Sequence, residues 1–172
     1  MSLRDWMALF RVIHIYSAIV LTGAIVFNTI ILMPALRRIP AAHSAVVGGK
    51  IGAGLMLLGG TAIALLGISG FALMGLDGTL SKLVTVEFLV GSYGRWIGLM
   101  VLAWLVFVVT STVSGIWYRT ILTRKLPYSA GLNELEQRRA MQARISKWQD
   151  RLAYINLTLA VLAVLGGALA TS

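Results

Sequence analysis

The chain has 172 residues, of which 58% are hydrophobic and 12% charged, with a formal net charge of +9 at pH 7. A mean hydropathy of +0.86 is far from the near-even balance of a soluble domain. The lack of cysteine excludes disulfides, thiolate metal sites, Fe–S clusters and cysteine nucleophiles.

Four apolar runs approach the roughly 20 residues needed to cross a hydrocarbon core about 30 Å thick. The first predicts a helix over about residues 7–32, stopping at Met33-Pro34 because proline disfavours helix in the residue before it. It carries His14 and Asn28, exceeds a signal-peptide core and shows no small-residue cleavage site before Pro34, so it is expected to be retained. The second span covers about 51–76 and ends at the turn pair Asp77-Gly78. Residues 79–90 are too few to cross, but alternate Leu83, Val84, Val86 and Leu89 with Lys82, Thr85 and Glu87, as in a short interfacial amphipathic piece. The third span covers about 95–118, with Trp96, Trp117 and Tyr118 at positions suited to aromatic belts.

Ahead of the fourth span, at about 152–170, Asn133 and Glu136 have the spacing of an N-cap and its reciprocal acidic partner, and Glu134 can pair with Arg138. If helix runs unbroken from Glu134 to Ala170, it is about 55 Å long and projects beyond the bilayer. Residues 134–151 then form a basic stalk, read either as a solvated face or as a partner surface.

Orientation follows from the basic residues. One side of the bilayer holds Arg37, Arg38, Lys50, Arg119, Arg124, Lys125, Arg138, Arg139, Arg144, Lys147 and Arg151, and the other only Arg4, Arg11, Lys82 and Arg95. This asymmetry places both termini outside the cytoplasm and the stalk within it. In loops between apolar runs such charge reports orientation, so nucleic acid is not an expected partner. A cysteine replacing Gln142 in the stalk is expected to be protected from impermeant thiol reagents in intact cells; labelling from outside would invert the topology.

In the second span Gly48, Gly49, Gly52, Gly59, Gly60, Gly67 and Gly70 fall within an arc of roughly 120° at about 100° per residue. The arc reads as a helix-packing seam, or as a flat wall for a planar cofactor such as haem or a quinone. On the seam reading, Leu at Gly60 or Gly67 destabilises more than Leu at Gly54, which projects away from the arc.

His14 is the ionisable side chain well inside a span, with Ser17 at i+3 and Met7 at i−7 on nearly the same face. It is either a ligand or proton relay, or a neutral histidine hydrogen-bonded to a carbonyl or water. The outer half of the bundle also gathers Met74, Met100, Arg95, Tyr93, Asp77 and Glu87. Imidazole with thioethers suits Cu(I), and imidazole alone can ligate haem iron. The candidate metal ligands are thus His14, Met74 and Met100, and the candidate haem contacts His14, Met7, Ser17 and Arg95. Methionine also serves as flexible core filler. His43 belongs to the opposite side, which leaves haem a His14–methionine pair, a five-coordinate iron, or two His14 residues meeting in a homodimer. The inner half holds Asn28, Thr110, Ser111, Thr112, Ser114 and Asn156, read as interhelical hydrogen bonding or a transport path.

The run His14-Ile15-Tyr16-Ser17-Ala18-Ile19-Val20-Leu21-Thr22-Gly23-Ala24-Ile25-Val26-Phe27, followed by Pro34-Ala35-Leu36, resembles the opening span of the copper-resistance-D-like membrane proteins. That group includes short four-helix members and the HemJ-type protoporphyrinogen oxidases. Residues Arg144 to Asn156 share the likeness more loosely. The resemblance implies a compact four-helix bundle with a first-helix histidine near the outer face, carried over to His14. The oxidase branch has a lysine in a later helix; helix three here has none, and Arg95 stands at its start.

The sequence therefore predicts one all-α domain over 1–172, an integral membrane four-helix bundle in a bacterial inner membrane, with both termini extracytoplasmic and helix four extended into the cytoplasm. Its expected function is to bind haem b or copper through His14 in redox or metal handling. The alternatives are a non-catalytic packing subunit of a larger membrane complex and a porphyrin-oxidising enzyme; no residue is assigned a catalytic role. Proton-coupled cation export of the small multidrug type is not expected, because no Asp or Glu lies inside a predicted span.

Overall fold

The computed structural model describes residues 2–117 and 132–170, apart from the side chains of 41, 42, 45, 132–143, 145, 146 and 170. The expectations for Tyr118, Arg119, Arg124 and Lys125, and for the side chains of Asn133, Glu134, Glu136, Arg138 and Arg139, lie outside what is described.

Helix α1 (Leu3–Val26) begins at a capping box, in which Ser2 Oγ accepts the Asp5 N–H and the Asp5 carboxylate accepts the Ser2 N–H. It passes through a π-turn over Phe27–Leu32 into the short α2 (Met33–Arg37). Pro34 therefore does not stop the first span, as the sequence led one to expect. The Met33 N–H reaches back five residues to the Asn28 carbonyl, and Pro34 sits in the first turn of α2, where its fixed φ suits a helix.

Helix α3 (Ala41–Leu76) starts directly after Pro40 and ends at Asp77 followed by Gly78, whose φ of 74° suits glycine alone without strain. Its start precedes the expected residue 51 because nothing between Ala41 and Lys50 breaks a helix. A 3₁₀ turn (Leu80–Lys82) and α4 (Val86–Val90) form the connection to α5 (Ser92–Trp117). Gly94, buried near the start of α5, allows a close approach: a Cβ there would strike the Phe88 carbonyl of α4. Helix α6 (Leu132–Ala170) is unbroken over 39 residues, about 58 Å.

Among the described residues four stretches are long and apolar enough to cross a membrane: Leu3–Arg37, Val46–Leu76, Ser92–Trp117 and Lys147–Leu169. Only 17% of each span's most apolar window is buried, and side chains such as Leu57 (74% exposed) and Ile68 (63%) face outward. Apolar surface on that scale needs lipid as its solvent, and helices satisfy their own backbone groups there. The protein is an all-α, multi-pass membrane protein.

Helix α1 packs along α3, and α5 along α6; α1 also touches α6, while α3 meets α5 lightly. The core at the crossing is built from Leu21, Ala62, Ile63, Ala103, Phe107 and Ala160, whose alanines let the backbones approach. Trp104 of α5 lies across α3, its Nε1–H donating to the Ile63 carbonyl at 2.9 Å and its ring meeting Phe71 edge-on. Between those two contacts lies Gly67, where a Cβ would stand 2.5 Å from Trp104 Cζ2. At the end of the bundle away from the termini, Arg37 of α2 forms a salt bridge with Asp150 of α6.

Candidate functional site

The site grows from the α1–α3 seam. His14 lies about one turn inside Arg11, and its ring rests on α3 where two small residues make room. A Cβ at Gly70 would approach His14 Cε1 to 3.1 Å, so the imidazole lies against the α3 backbone. Beside it, Ser69 Oγ is 3.1 Å from His14 Nδ1, and the same hydroxyl lies 2.6 Å from the Leu65 carbonyl and 3.2 Å from that of Leu66. Ser69 is 0% exposed. His14 is half-buried, with Nδ1 committed to Ser69.

The other expected ligands are distributed unevenly. Ser17 is buried one turn beyond His14. Met7 lies two turns before it, about 10.5 Å along the axis. Met74, also buried, lies one turn beyond Gly70 on the α3 face that continues from Gly67. Met100 is turned to α6, its Sδ 3.7 Å from a Cβ position on Gly167. Arg95 is exposed and lies over the Trp96 ring, 5.7 Å from its centroid. His43 is exposed in the first turns of α3, 26 residues before Ser69 and so about 39 Å away along the helix. His14 and His43 of one chain cannot share a ligand. Among the described residues no group of three or more His, Asp or Glu is placed to hold a metal ion.

The expected glycine seam is divided. Gly67 and Gly70 are covered by Trp104 and His14, and Gly48 by Leu36, but a Cβ at Gly52, Gly59 or Gly60 would meet nothing within 4 Å. Beyond Trp104, α3 and α5 still meet, Met56 of α3 bringing its Cε to 3.0 Å from a Cβ position on Gly115 of α5. Beside that contact lies a groove of about 330 Å³ lined by Met56, Gly60, Ser111, Thr112, Gly115 and Ile116.

In the polar layer, Thr110 Oγ1 donates to Asn156 Oδ1 at 3.2 Å and joins α5 to α6, while Thr112 Oγ1 donates to the Val108 carbonyl of its own helix. Thr29, in the π-turn, is 3% exposed and its hydroxyl has no hydrogen-bond partner among the described residues. Sequence reasoning passed over Ser69 and Thr29; the π-turn that holds Thr29 leaves no compositional mark.

Chemically, the Ser69 contact engages Nδ1 of His14, which makes Nε2 its candidate ligand atom. A single neutral imidazole suits the axial position of a haem iron, or one position of a copper site completed by a thioether. Of the methionines, Met74 shares the α3 face that receives His14.

Four membrane-length helices and one histidine pinned at a helix seam define a multi-pass membrane protein with a single candidate ligand position. The chain matches no protein-family model, no curated protein and no solved structure.

Proposed function

We propose that the protein binds a haem iron or a copper ion through Nε2 of His14, in redox or metal handling on the outer side of a bacterial cytoplasmic membrane. The observation that carries this reading is the contact of His14 Nδ1 with a fully buried serine, which orients the ring and makes Nε2 its candidate ligand atom. An ionisable side chain inside a span is expensive and is most often retained for function. The likeness of the first span to the copper-resistance-D-like proteins points the same way. The side follows from the excess of Lys and Arg around Arg37, Lys50 and Arg144 to Arg151 over that around Arg4, Arg11, Lys82 and Arg95.

Absorption spectroscopy and elemental analysis of detergent-purified protein, before and after supply of haemin or Cu(I), test the reading together. A Soret band or copper in a fixed ratio to the chain supports it; neither group retained after both supplies sinks it.

A second reading, a non-catalytic subunit that packs in a larger membrane complex, rests on a different observation. The open face at Gly52, Gly59 and Gly60 and the adjoining groove have the small-residue character of a helix-docking surface.

A further inference from the structure

We infer that Ser69 is a positioning residue that holds His14 in the Nδ1–H form, so that Nε2 carries the bare electron pair. The argument rests on counting one proton. A serine hydroxyl has a single hydrogen and two lone pairs, whereas a backbone carbonyl only accepts. Ser69 Oγ lies 2.6 Å from the Leu65 carbonyl oxygen, within the range of a good O–H···O bond, and 3.2 Å from the Leu66 carbonyl oxygen. If the proton turned to His14 instead, two oxygen atoms would face each other at 2.6 Å with no hydrogen between them. Ser69 is 0% exposed, so water cannot relieve that contact.

The proton therefore goes to the carbonyls, and Oγ meets His14 with a lone pair. Nδ1 must then be the donor across the 3.1 Å contact. In neutral imidazole the other nitrogen is bare. Gly70 keeps the ring seated on α3, since a Cβ there would press on Cε1 at 3.1 Å. Through the proposed role of His14, on which this part rests, the tautomer fixes the chemical class of ligand. Nε2 accepts a metal ion or a proton donor, and it cannot donate to a carboxylate or carbonyl.

The test uses the full chain in detergent with ¹⁵N-labelled histidine and no ligand added. Two histidines give two sets of ring signals, and the exposed His43 serves as the internal reference. At a pH where both are neutral, His14 should show a protonated Nδ1 and a bare Nε2, while His43 shows the Nε2–H form that histidine favours in water. Ser69→Ala, which only removes an oxygen, should keep the helical circular dichroism and lose the Nδ1–H preference. An Nε2–H ring in the unmodified protein, or an unchanged Nδ1–H ring in Ser69→Ala, overturns the assignment.

A second arm titrates haemin and Cu(I) separately. Ser69→Ala should weaken whichever one the unmodified protein binds by about ten- to a hundred-fold, as loss of a group that orients a ligating histidine does. Unweakened binding by Ser69→Ala overturns the positioning role. Binding of neither by a protein whose Nδ1–H form is intact supports the role of Ser69 and overturns only the reading of His14 as a metal ligand.

Discussion

Replacing His14 with alanine should abolish the Soret absorbance or the copper content of the purified protein while leaving the bundle folded. The size of the effect follows from the donor inventory. His43 lies about 39 Å away along α3, and the chain has no cysteine, so nothing else in it supplies a neutral nitrogen or thiolate at that level. The fold should survive because His14 is half-buried and its ring lies over the small residues Ser69 and Gly70. Ser69 keeps both carbonyl acceptors when the histidine is gone, so no buried hydroxyl is stranded. His43→Ala is the matched control and should leave binding intact. Equal retention of haem and copper by His14→Ala and the unmodified chain would remove His14 from any binding role, and the packing-subunit reading would then stand first.

Gly67→Leu should be the most damaging change on α3, costing about 2–4 kcal/mol by thermal unfolding in detergent. The Cβ alone would lie 2.5, 2.7 and 2.9 Å from Trp104 Cζ2, Cε2 and Nε1. The indole cannot withdraw freely, since it donates to the Ile63 carbonyl and meets Phe71 edge-on. Either the hydrogen bond breaks or α3 and α5 separate. Gly60→Leu, with nothing within 4 Å, should behave in the isolated chain as Gly54→Leu does. The sequence alone led to equal expectations for Gly60 and Gly67. If Gly60→Leu proves as costly as Gly67→Leu, a partner helix covers the groove in the purified state.

The contrast shows what periodicity can carry. A 3.6-residue repeat places Gly60 and Gly67 on one face of α3, but the face is covered only where a neighbouring side chain reaches it, as Trp104 does at Gly67 and no described residue does at Gly60. The four spans were legible because lipid demands long apolar helices, and His14 because it is a titratable group within one. Ser69 was not legible. Its partnership with His14 joins residues 55 apart and depends on the register between α1 and α3, which no local pattern encodes. The start of α1 at Leu3, ahead of the expected residue 7, rests on the Ser2–Asp5 capping box, which the sequence reading passed over. Continuation through Pro34 was not legible, since it rests on a π-turn with no marker residue.

That π-turn divides the first span into two pieces with separate azimuths. One extra residue swings every following side chain by about 100° around the helix axis. Before the turn, rotation is set by His14 against Ser69; after it, by Arg37 against Asp150. A uniform α-helix of the same sequence would change the angle between these two anchorages, so only one could be kept without moving α3 or α6. The turn works as a phase adjuster. It lets the histidine end of the helix hold its bearing on α3 while the arginine end is aimed independently at α6.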